Sequence, residues 1–134
     1  MDNYHSSETP ITYKWLYLLI REQGHNIEPD SISTDIAEAW GEAAEKLSVT
    51  QERLGELLSH RYDLEYISSI KDDYSALALV PEHIARRYHI YPVGVEDQAL
   101  QIATSDPFDI EMLMATGFVA GMNIEPCIAM PENI

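Results

Sequence analysis

Apolar residues recur at helical spacing through the first half of the chain and give way to short, strand-like runs in the second. Residues 1–8 are polar, which predicts a flexible amino terminus. Thr9 before Pro10 has the form of a helix start, since proline at the first helical position gives up an N–H that would have no partner there. Ile11, Trp15, Leu18 and Leu19 then repeat at steps of three and four, so the spacing predicts a first helix to about Gln23, with Gly24 as its left-handed stop. His25 to Ile32 reads as a loop around Asn26, Pro29, Asp30 and Ser31. Ser33, Thr34 and Asp35 offer caps for a second helix whose stripe is Ile36, Ala37, Trp40, Ala43, Ala44 and Leu47. Ser48, with Gln51 three residues on, fits a capping box for a third helix that buries Leu54, Leu57 and Leu58.

The period changes at Asp63. Leu64, Tyr66 and Ile67 predict a short strand, and Ser75–Leu79 and Pro81–Tyr88 two short helices. Ile90–Val95 and Ala99–Ala103 predict a hairpin turning on Glu96, Asp97 and Gln98. Asp106 and Pro107 predict a helix start, with Ile110, Leu113 and Met114 on the helix and Gly117 at its end. Ile124–Ala129 predicts a last strand, which Pro126 would confine to a sheet edge or a bulge. The fold class expected is α+β, with a three-helix part followed by a small mixed sheet of three to four strands packed with short helices. The expected division is a flexible end over 1–8, a helical subdomain over 9–62 and an α+β subdomain over 63–134.

Charge narrows the partners. The formal net charge is −15, spread as −8 over residues 1–70 and −7 over 71–134. Such a field repels phosphate backbones and anionic head groups, which argues against nucleic acid and against direct membrane insertion, and favours a partner with a basic face. A single cysteine, Cys127, excludes an internal disulfide and fits a reducing cytoplasm. No stretch reaches the ~18 apolar residues of a membrane span.

The segment from Ser48 onward resembles the N-terminal domain of the general secretory pathway E protein and of the related type IV pilus assembly ATPases. The residues that carry the likeness are Val49–Leu58, Val80–Tyr88 with its Pro81, Ile90–Val93, Leu100–Pro107 and Met114–Gly117, in that order and spacing. The resemblance implies a docking module that precedes a motor ATPase core. It would bind the cytoplasmic domain of an inner-membrane secretion or pilus platform protein, and so be cytoplasmic and peripheral at that membrane. Each motif also has a plain structural reason, since Pro81 and Pro107 open helices and Ile84, Ala85 and Tyr88 form a core face.

Catalytic patterns are absent from the sequence. A phosphate cradle needs glycines followed by a lysine, and none of Lys14, Lys46 and Lys71 follows a glycine. His83 and His89 stand six apart without the spacing of a metal set, so no metal and no cofactor is expected. Cys127 falls on a buried strand, where a thiol is inert. Asp72 with Asp73, and Asp106 with Asp109, read as turn and helix-start residues. The reading is of a chain without catalytic residues.

Two alternatives stand beside docking. Arg53, Leu54, Gly55 and Leu58 resemble half of the paired R-L-G-x-x-L stretches of cyclic di-GMP receptors, although the upstream helix reads Lys14, Trp15, Leu16 and lacks the partner arginine and glycine. The same module attached to another enzyme, such as a membrane glycosyltransferase, or to a signalling protein, is the other. For a docking surface the candidates are Tyr13 and Tyr17, off the Trp15, Leu18 and Leu19 face, and the basic pair Arg86 and Arg87, because interface anchors are enriched in aromatic residues and arginine.

Overall fold

The computed structural model describes residues 11–134. The expected flexible segment 1–8 and the Thr9–Pro10 helix start lie outside the described residues. Helices α1 (Lys14–Glu22), α2 (Ile36–Leu47) and α3 (Gln51–Tyr62) come first, followed by the short α4 (Tyr74–Leu77) and α5 (Glu82–Tyr88). Strands β1 (Tyr91–Glu96) and β2 (Ala99–Thr104), helix α6 (Ile110–Ala120) and strand β3 (Asn123–Ile128) complete the order. The result is the expected α+β fold.

Helix α1 begins at Lys14, later than the spacing predicts, because Tyr13 sits in the left-handed region at φ 50° and breaks the run from Ile11. It ends as expected: Gly24, at φ 94°, lets its N–H and that of His25 turn back onto the carbonyls of Arg21 and Ile20. Asp35 caps α2, its Oδ1 accepting from the N–H groups of Ala37 and Glu38 at 2.9 and 3.3 Å. Ala39, Trp40, Ala43 and Ala44 are the buried residues of that helix, and Ala37 faces outward. The cap of α3 is Thr50, whose Oγ1 accepts from the Arg53 N–H at 3.0 Å. Ser48, expected in that place, instead ends α2 in the left-handed region.

The sheet runs β1-β2-β3, antiparallel between the first pair and parallel between the second. Asp97 and Gln98 form the two-residue turn of the hairpin with φ of 52° and 65°, the sign that matches the right-handed twist of the flanking strands. Helix α6 is the crossover that a parallel pair requires. The predicted strand at Leu64–Ile67 shrinks to one parallel bridge, Tyr66 to Ile128. Ile128 exchanges backbone bonds with Glu65 and Ile67, but two residues back on the same edge stands Pro126, which has no N–H to extend the ladder.

Two apolar clusters flank the sheet. The first holds Trp15, Leu16, Leu19, Trp40, Leu54 and Leu58 from α1–α3 together with Ile128 of β3. Its tie to the rest of the chain is specific, since the Trp40 indole N–H donates to the Ser105 carbonyl at 2.9 Å, 65 residues away. The second joins Ala76, Val80, Ile90, Leu100, Ile102 and Met112 beneath α4, α5 and α6.

Candidate functional site

Of the residues singled out for docking, Tyr17 is buried in the first cluster, its hydroxyl accepting from Arg21 Nη1 at 3.1 Å. This corrects the expectation of a surface anchor at that position, because the first turns of α1 are covered on the Tyr17 side as well. Tyr13 is half-buried and its hydroxyl donates to the Thr34 carbonyl at 2.9 Å, fastening the start of α1 to the cap of α2. Arg86 and Arg87 are exposed and each holds an ion pair: Arg86 with Glu82 one turn earlier at 2.6 Å, Arg87 with Glu111 of α6 at 3.3 Å.

The Arg53, Leu54, Gly55 motif lies on α3. Arg53 is exposed and pairs with Glu56 at 3.0 Å, and Leu54 is buried in the core. Gly55 packs directly beneath Tyr66, since a methyl group at position 55 would lie 2.2 Å from Tyr66 Cε1. The missing side chain therefore seats an aromatic ring. Cys127 is buried in β3, and burial together with Glu65, Glu125 and Glu96 pushes its thiol up to about 12, out of reach of nucleophilic work at neutral pH. Among the described residues no cluster of His, Cys, Asp or Glu has the makings of a metal site, and no helix is long and apolar enough to cross a membrane.

Sequence reading missed the surface on which exposed apolar side chains gather. The expectation is a helix that opens at Asp106 and Pro107, carries Ile110, Leu113 and Met114 and stops at Gly117. Its cap is Asp109, whose Oδ1 accepts from the Met112 N–H at 3.1 Å, and it continues to Gly121 at φ 69°. Met112 and Thr116 face inward, and Ile110, Met114 and Phe118 stand outward with 68%, 70% and 88% of their surface exposed. Ten of its eleven residues are uncharged, so periodicity offered no way to tell the inner face from the outer.

Asp106 is freed from capping and lies half-buried beside Tyr13, Trp15 and Phe108 at the amino end of α6, in an open groove of about 550 Å³. Desolvation there, and then the charge of Asp109, raise its carboxyl to about 6, against a hydrogen bond from Trp15 that pulls the other way. Trp15, Phe108 and Tyr62 meet in sequence, the first pair tilted and the second edge to face, with ring centroids 5.9 and 5.1 Å apart.

Residues 60–134 match the model of the MshEN domain. Among solved structures the fold is similar to that of MshE with cdg, at 24% identity over 88% of this chain and 91% of that one, TM-score 0.58. It is also similar to the N-terminal domain of XpsE in two crystal forms. One aligns at 14% identity over 94% of this chain and 92% of that one, TM-score 0.55. The other aligns at 15% identity over 99% and 94%, TM-score 0.51. No curated protein sequence matches the chain.

Proposed function

The chain belongs to the MshEN domain family, and from that membership we propose that it is a docking domain of a type II secretion or type IV pilus assembly motor ATPase. In this reading it performs no chemistry, lies in the cytoplasm, and holds a motor core to the cytoplasmic domain of an inner-membrane platform protein. The observation that carries the reading is the family match over 60–134 joined to a surface that offers exposed apolar side chains on an anionic body. Such a body associates with a basic partner faster and more tightly at low ionic strength. The test is a titration of the platform protein's cytoplasmic domain against the purified chain by isothermal calorimetry at low and high salt. Saturable binding that weakens with salt supports docking, and no heat at low salt removes it.

A second reading, a cyclic di-GMP sensor, draws on the fold shared with MshE with cdg and on Arg53, Leu54 and Gly55. Against it stand the tie of Arg53 to Glu56, the seating of Tyr66 on Gly55 and the charge of −15 facing a dianion. Uptake of cyclic di-GMP at micromolar concentration, lost in Arg53→Ala, would establish this second function.

A further inference from the structure

We propose that the outer face of α6, together with the aromatic groove at its amino end, docks an amphipathic helix of the partner protein that carries lysine or arginine beside its apolar stripe. The inference rests on the docking reading and adds to it the surface and the chemistry of the occupant.

Ile110, Met114 and Phe118 lie at i, i+4 and i+8 on α6, so they form one row about 12 Å long. All three are more exposed than buried. That is the footprint of two turns of a partnering helix, whose own apolar residues would lie at the same spacing. The row starts inside the groove, because Ile110 is shared by both. There Tyr13 and the exposed Phe108 line the groove with Asp106 and Asp109, a setting that attracts an ammonium or guanidinium group through charge and gives it aromatic surface to meet, while Trp15, also in the lining, is buried. Lys14 also lines the groove and offsets one of the two negative charges. Asp106, half-buried next to a like charge, costs the fold free energy that an arriving cation would offset; burial raises its carboxyl to about 6.

Charge selects among occupants. The body carries −15 overall, and Arg53, Arg61, Arg86 and Arg87 are each tied to a carboxylate. A second copy would bring the same charge to the same face, and an anionic bilayer would be repelled. A cationic amphipathic helix meets both the apolar row and the acids.

The test uses the ¹⁵N-labelled chain, the platform protein's cytoplasmic domain, and two synthetic helical peptides with the same leucine stripe, one flanked by lysines and one by glutamates. The lysine peptide and the platform domain should shift amide resonances of residues 106–120 and of 11–15, which share the groove, and little else, and the glutamate peptide and phosphatidylglycerol vesicles should shift none. Phe118→Ser and Met114→Ser should each weaken platform binding about tenfold or more, as loss of a central anchor does. Asp106→Asn with Asp109→Ser, the latter keeping a cap, should weaken it by less and flatten its salt dependence. Tyr74→Ser, at an equally exposed aromatic on α4, should change nothing. Platform binding that is untouched by the α6 substitutions, or equal uptake of the two peptides, overturns the inference and leaves the docking reading standing. Absence of platform binding by the unmodified chain removes that reading. Self-association in sedimentation that disappears with Phe118→Ser assigns the face to a second copy and also overturns the proposal.

Discussion

Helices α2 and α6, twelve and eleven residues long, solve opposite problems. The first keeps its tryptophan and alanines inward, Trp40 wholly covered, and carries its acids Glu38, Glu42 and Glu45 outside the core. The second has a single charged residue, Glu111, and exposes three of its largest apolar side chains. Placing such groups in water costs roughly 25 cal/mol for each Å² left uncovered relative to burying it. A helix built only for stability would not leave them there. The contrast separates a region whose apolar residues hold the fold from one whose apolar residues are available to another molecule.

The comparison breaks if the two helices respond alike to truncation. Trp40→Ala should lose about 3–5 kcal/mol in urea denaturation, combining an emptied core position with the unpaired Ser105 carbonyl. Gly55→Ala should lose about 1–3 kcal/mol by the same measurement, because the new methyl drives the Tyr66 ring out of its seat. Asp106→Asn sharpens the picture through pH. Since the folded-state carboxyl titrates near 6, above its ordinary 3.8, the folded form holds the proton more tightly. Stability from this group is therefore full below about pH 4, falls as pH rises to about 6, and is level beyond. The asparagine variant should lack that decline and melt higher than the parent at pH 7.5. The smallest effect belongs to Phe118→Ala, which should leave stability within about 0.5 kcal/mol. A loss there comparable to that of Trp40→Ala would make the outer face of α6 structural and erase the distinction.

Much of the fold was legible along the chain where local chemistry decides. The Asp35 cap, the stop at Gly24, the hairpin about Asp97 and Gln98 and the edge position of Pro126 each depend on one residue and its near neighbours. Cap positions were displaced where two neighbours competed for the role. Thr50 rather than Ser48 opens α3, since Ser48 is needed to end α2, and Asp109 rather than Asp106 opens α6. The docking candidates fared differently. Tyr17 looked free because only one stripe of α1 appeared occupied, and α1 is covered on a second side.

By itself the sequence determined the order of most helices and strands, the α+β class and the net negative charge, because these follow from short-range steric rules and from charge summed over the chain. Only the tertiary structure decided which side of α6 meets water, that Asp106 is half-buried against aromatic rings, and that Gly55 is a seat for Tyr66. Those facts depend on which segments lie against one another across tens of residues, and an apolar helix carries no mark of which face its neighbours will leave uncovered.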